Sequence, residues 1–137
     1  MVSLPPDTTE CGTMIDIGEI RGLSIKQPWA DMIASEEKIY ETRTWKTSYR
    51  GYVLIVSSKI PANEGLAGHA LCVARIIDCR RMTVEDEDGA CCYIYHKANV
   101  FVLQDVRRVK PFRVRGGLGL YPLKRDVISQ IEFIDEE

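Results

Sequence analysis

Apolar positions in this chain come in short runs whose period changes along it. Residues 22–26 (Gly22-Leu23-Ser24-Ile25-Lys26) alternate apolar and polar, the period of a strand with one buried face. Pro28 suits the first position of a helix, and Trp29, Met32 and Ile33 then fall on one face of it at i, i+3, i+4. Residues 39–44 are a β-rich run, and Tyr49-Arg50-Gly51 looks like a turn. Residues 52–57 (Tyr-Val-Leu-Ile-Val-Ser) are continuously apolar, as in a strand buried on both faces. Residues 58–68, with Pro61, Asn63, Gly65 and Gly68, predict a loop or short helix, and residues 69–79 a long strand. Residues 85–89 (Glu-Asp-Glu-Asp-Gly) predict a solvated loop. Another strand starts at Val100 and continues through Val106 and Val109. Gly116-Gly117-Leu118-Gly119-Leu120 predicts a tight turn ahead of Tyr121-Pro122-Leu123. That glycine cluster has no helix after it, so it is not a strand–loop–helix phosphate fingerprint. Many short strands with one early helix predict a small barrel or sandwich.

Size and composition fit one domain: 137 residues, 45% hydrophobic and 28% charged. No apolar run approaches the ~20 residues that span a bilayer, and the acidic N-terminus lacks the basic start of a secretory signal. Five cysteines (Cys11, Cys72, Cys79, Cys91, Cys92) form no disulfide framework and no CxxC pair. They predict reduced, mostly core thiols in a cytoplasmic protein, with no cofactor and no metal.

The formal charge of −2 hides a segregation. Residues 1–20 carry four acids and no base, and residues 126–137 carry five acids and no base. All 18 Lys and Arg lie in residues 21–125, against 11 acids, a net of +7. Three parts are expected: an acidic flexible arm at 1–20, the domain at 21–125, and an acidic segment at 126–137. A basic body suits a polyanionic partner, and the tails could compete with it as tethered anions. The alternative for the last segment is packing through Val127, Ile128, Ile131 and Ile134.

Residues 38–51 are the richest in chemistry. On a strand, Ile39, Glu41 and Arg43 share one face, and Tyr40, Thr42 and Thr44 the other. Glu41 beside Arg43 is an ion pair that could close a barrel mouth, or it could read a ligand, Arg43 holding phosphate and Glu41 accepting from a base amine. Lys38, Lys46 and Arg50 interleave with Tyr40, Trp45 and Tyr49, the mixture that single-stranded recognition uses, unless the rings pack in the core. A second basic run, residues 107–115, holds five cations and no acid.

These residues resemble a known family. Leu23-Ser24-Ile25-Lys26-Gln27-Pro28-Trp29-Ala30, followed by Lys38-x-x-Glu41-x-Arg43, resembles the ASCH domain (activating signal cointegrator homology), recognised by G-x-K-x-x-E-x-R. Further matches are Arg50-Gly51 before Val53-Leu54-Ile55, then Ser57-Ser58-Lys59, and Val102-Leu103-Gln104-Asp105-Val106 leading to Pro111 and to residues 114–120. The resemblance spans about residues 21–124. It implies an α+β, PUA-like fold, a small β-barrel with flanking helices, and a cleft beside the first helix lined by the K-x-x-E-x-R residues.

It also implies binding of RNA, of a single-stranded nucleic acid, or of a nucleotide-like small ligand. Lys38 and Arg43 would contact phosphate, with Glu41 orienting Arg43 or accepting from a base. Lys26 and Arg50 would extend a positive rim, Trp45 and Tyr49 would stack, and Ser58 and Lys59 would reach the same cleft. Some members hydrolyse RNA or modified nucleosides. In that alternative Lys38 and Glu41 are the general acid–base pair, with Ser57 or Ser58 as nucleophile or binder. A third alternative is a protein-interaction module of the coactivator type. This chain departs from the motif at Glu36, where the family has glycine. Glu41 stands where an amidohydrolase branch acting on acetylated cytidine has its Thr nucleophile.

Overall fold

The computed structural model of the protein describes residues 18–60 and 65–134. The strands are β1 (Ile20–Ile25), β2 (Tyr40–Arg43), β3 (Gly51–Ser57), β4 (His69–Arg81), β5 (Asn99–Arg113) and β6 (Leu120–Pro122). They form one sheet in the order β2-β5-β4-β3-β1-β6. Only β1 and β3 run parallel, Ile20 beside Tyr52 through Ile25 beside Ser57, and α1 (Trp29–Ala34) lies in the crossover between them. The long β4–β5 hairpin shifts register three times, which lets it curl toward a half-barrel. The fold is α+β, as the strand pattern and the family resemblance imply.

The centre of the sheet explains the unbroken apolar run at residues 52–57. Val53 and Ile55 pack with Leu23, Phe101 and the α1 residues Ala30 and Ile33. Their neighbours Tyr52, Leu54 and Val56 pack on the other face, against Val109 and the partly buried Val127, Ile131 and Phe133. The described part of the acidic C-terminal segment is thus packed. It starts with α3 (Arg125–Ile128) and bridges back to β5 at Phe133 and Val109. Of the acidic arm expected at 1–20, the last residues belong to the domain: Ile20 opens β1 and is buried, and Glu19 accepts from Arg21 Nε at 2.9 Å. The tethered-anion idea for residues 1–17 lies outside the described residues.

Three local expectations change. Residues 85–89 are not a solvated loop: a 3-10 turn (Val84–Asp86) runs into α2 (Glu87–Ala90), and Asp86 is buried. The Asp86 carboxylate accepts from the Thr83 N–H at 2.7 Å, and Arg80 grips it with two N–H groups at 2.9 Å. These bonds hold its pKa down to about 2. Among the four described cysteines only Cys72 is a fully buried core thiol, and burial pushes its pKa up to about 12; Cys79, Cys91 and Cys92 are half-buried. Finally, helix α1 buries Ile33 but leaves Trp29 exposed, because Pro28 sits at the cap position and puts Trp29 on the first, outward turn.

Candidate functional site

Helix α1 ends in a Schellman turn. The Glu36 N–H donates to the Ile33 carbonyl and the Glu37 N–H to the Met32 carbonyl, both at 2.9 Å. Glu36 is the left-handed residue that such a turn requires, with φ of 68°. The departure from glycine therefore leaves the helix stop intact at the cost of backbone strain. Lys38 then donates its N–H to Met32 as well, and its side chain turns inward, 3% exposed.

On β2, Glu41 and Arg43 share a face, as the alternation predicts. Arg43 Nε donates to Glu41 Oε2 at 2.7 Å, and Arg43 Nη2 donates to the Ser24 carbonyl at 2.8 Å. The second bond ties β2 to β1 across the open side of the sheet. Lys38 Nζ lies 3.9 Å from Glu41 Oε1 and donates a hydrogen bond to the Ala90 carbonyl. Glu41, 6% exposed, is thus a buried carboxylate with a cation on either side. Burying such charges is tolerable only with this pairing.

The loop that accepts the Lys38 hydrogen bond is anchored by sequence. The Thr83–Asp86 capping box and the Arg80 fork fix its start. Gly89 lets it lie flat on β2: its carbonyl accepts from the Ile39 N–H at 2.8 Å, and a Cβ there would sit 2.8 Å from the Tyr40 ring. Cys92 and Tyr95 follow, and the Tyr95 hydroxyl donates to Thr42 Oγ1 at 2.9 Å.

Between the end of β1, the start of α1, β2 and this loop lies a cavity of about 470 Å³. Lys26, Lys38, Glu41, Arg43 and Ser58 line it, together with Ser24, Trp29, Thr42, Cys92 and Tyr95. Its charged lining is three cations against one carboxylate. Two aromatic side chains face it while keeping water contact, Trp29 at 38% and Tyr95 at 41% exposure. Ser24 Oγ at its edge is 3.0 Å from the Tyr121 hydroxyl.

Ser57, the alternative nucleophile, is buried away from this cavity with its hydroxyl bonded to the His69 backbone. Four of the residues expected to bind ligand also lie outside it. Trp45 stacks edge-on against Phe101, with centroids 5.2 Å apart, as part of the core periphery. Tyr49 donates its hydroxyl to the Tyr52 carbonyl at 2.8 Å and carries the Arg21 guanidinium 4.3 Å over its ring, so that face is taken. Burial, and then the Glu19 charge, push its pKa up to about 12. Arg50 folds back on the Thr47 and Tyr49 carbonyls and faces Asp78 at 3.7 Å. Lys59 lies beside Gly68, beyond the end of β3. The sequence pattern places Trp29 on the apolar helix face, Thr42 on the strand face away from Glu41 and Cys92 among the core thiols, and gives no site role to these or to Tyr95. The Thr83-x-x-Asp86 capping signature was the signal available that the acidic stretch starts an ordered loop. Among the described residues no three His, Cys, Asp or Glu side chains converge as a metal site, and no helix is long and apolar enough to cross a membrane.

No curated protein matches the chain. Solved structures do. ASCH from Zymomonas mobilis superposes with a TM-score of 0.62 at 14% identity, covering 82% of this chain and 96% of that one. A tyrosine-to-phenylalanine mutant of the same protein gives 0.61 at 14% identity, covering 83% and 99%. At that identity the likeness is one of fold. The family model of the ASCH domain matches residues 23–113, which include β1 from Leu23, α1, the K-x-x-E-x-R segment and all of β3 to β5. On that match, over a fold of the same kind, the chain belongs to the ASCH domain family.

Proposed function

We propose that the cavity receives one nucleotide of a single-stranded nucleic acid. The observation that carries this is the buried Glu41, held between Lys38 and Arg43 beside the two half-exposed rings of Trp29 and Tyr95. A fixed carboxylate can accept from the amino group of a base, the cations can meet a phosphate, and a ring with a free face can stack. The cavity volume of about 470 Å³ suits one nucleotide rather than a duplex. Trp29 and Tyr95 take the stacking role first assigned to Trp45 and Tyr49, while Lys26 and Ser58 keep their places at the wall.

The test is fluorescence anisotropy with a labelled single strand and the matching duplex, as RNA and as DNA. The expected result is tighter binding of the single strand, weakening as salt rises. Equal binding of duplex and single strand would overturn the assignment. Hydrolysis of RNA or of a modified nucleoside is the second reading. It is favoured by one observation, that Lys38 and Glu41 stand 3.9 Å apart against a ligand-sized space. Product formation on prolonged incubation, lost in Lys38→Met, would support it.

A further inference from the structure

We propose that the sugar–phosphate backbone leaves the cavity over the converging ends of β1, β3, β4 and β5, making this basic rim a second contact surface for single-stranded nucleic acid. The inference rests on the cavity reading and extends it beyond the K-x-x-E-x-R residues. The four ends are stitched together by backbone bonds. The Ser58 N–H donates to Ile25 at 2.9 Å, the Gly68 N–H to Ser57 at 2.8 Å, and the Val114 N–H to Gly68 at 3.1 Å. Three of the four bring a cation or lead into one: Lys26 after β1, Lys59 after β3, and Arg113 and Arg115 at the close of β5. All four cations are exposed, and none has an acidic partner within 4 Å among the described residues. Val114 is buried, so Arg113 and Arg115 flank it on the outward side of the chain.

The rim is continuous with the cavity. Lys26 belongs to both, and a Cβ on Gly116 would lie 2.9 Å from Ser24 Oγ, a wall atom. The glycine loop also folds so closely onto β6 that a Cβ on Gly117 would collide with the Tyr121 ring at 2.6 Å. The backbone N–H groups of Gly116, Gly117 and Leu118 donate to no protein atom among the described residues. Unpaired N–H groups beside two guanidinium groups favour an anion, and Leu118 at the loop tip, 93% exposed, offers apolar surface to a base. The opposite wall differs in charge: Glu87 and Asp88 lie with Cys92 and Tyr93 around a neighbouring hollow. A polyanionic chain is repelled there and drawn toward the strand ends.

The experiment measures a nucleoside 5′-monophosphate and single strands of three, six and nine nucleotides against three proteins. These are the wild type, Arg113→Ala with Arg115→Ala, and Lys124→Ala with Arg125→Ala. The last pair removes the same charge beyond the far end of β1, where Pro122 pairs with Arg21. Affinity should rise with length in the wild type. The first double variant should keep its melting temperature and its mononucleotide affinity within twofold. It should lose about tenfold or more for the nonamer, and its log–log salt slope should shrink by about 1.4. The control pair should lose less than threefold. Equal losses in the two double variants, or no loss in the first, overturn the rim. A wild type that binds the mononucleotide but gains nothing with length overturns the rim alone. A wild type that binds neither overturns the cavity reading and the rim with it.

Discussion

Two neighbouring stretches of this chain have nearly the same composition and opposite uses. Residues 38–43 and residues 45–50 each mix cations with aromatic and hydroxyl side chains. The first stretch follows a Schellman turn and forms the edge strand β2, so its alternate side chains, Glu41 and Arg43, point into a space bounded by α1 and β1. The second has no strand partner, and it covers the open edge of the core with Trp45 and Tyr49. The difference teaches that a charged and aromatic mixture becomes a site only where neighbouring backbone supplies a cavity. Elsewhere the same mixture packs, with rings inside and cations folded onto carbonyls, as Arg50 does.

The sharpest way to break this comparison is to remove the tryptophan of the packed stretch and, separately, the one on the wall of the cavity that the first stretch lines. Trp45→Ala should cost about 3 kcal/mol of stability, from lost packing against Phe101, and lower the melting temperature by roughly 10 °C. Trp29→Ala should change stability by under about 0.5 kcal/mol yet weaken single-strand binding by about 1–3 kcal/mol. Thermal melts and binding isotherms on both variants check this; reversed effects would dissolve the distinction. Arg43→Ala removes one cation from Glu41 and the tie to Ser24, but leaves Lys38 in place. About 1–3 kcal/mol of binding should go while the fold survives, read by affinity alongside circular dichroism.

The loop that brings Tyr95 to the cavity carries a pH dependence. The Asp86 pKa is held near 2 in the folded protein, below its ordinary 3.8. The depressed pKa means that its stabilisation is fully present above about pH 4 and fades as pH falls toward 2. With Arg80 partly in water, the loss should be about 1–2 kcal/mol. Urea midpoints between pH 5 and 2 on the wild type and Asp86→Asn check it: the variant should be flatter over that window. The smallest effect is at Glu36. Glu36→Gly relieves the left-handed strain and should stabilise the protein by about 0.5–1 kcal/mol, seen as a rise in melting temperature.

The sheet was largely legible in the sequence because period-two alternation and the run at residues 52–57 report burial directly. Glu41 and Arg43 were legible for the same reason, as neighbours on one face of a strand. Trp29 and Tyr95 were not. A helix one and a half turns long gives too few positions to fix which side of Trp29 meets water. Tyr95 reaches the cavity only through long-range docking: Gly89 on β2, Lys38 on Ala90, Arg80 on Asp86. Local pattern carries no trace of such pairings. Glu36 stands where the family has glycine, and nothing in the sequence marks the left-handed backbone it nonetheless adopts.

The chain contains two tryptophans, Trp29 at the cavity wall and Trp45 in the packed stretch. A titration with a single-stranded oligonucleotide, followed through the two indole N–H signals in a proton–nitrogen correlation spectrum, therefore tests the central claim directly. The Trp29 signal should shift progressively with added ligand, while that of Trp45 stays within its linewidth. A shift of Trp45 with Trp29 unmoved, or no shift of either at saturating ligand, would contradict the assignment of the cavity as the nucleotide site.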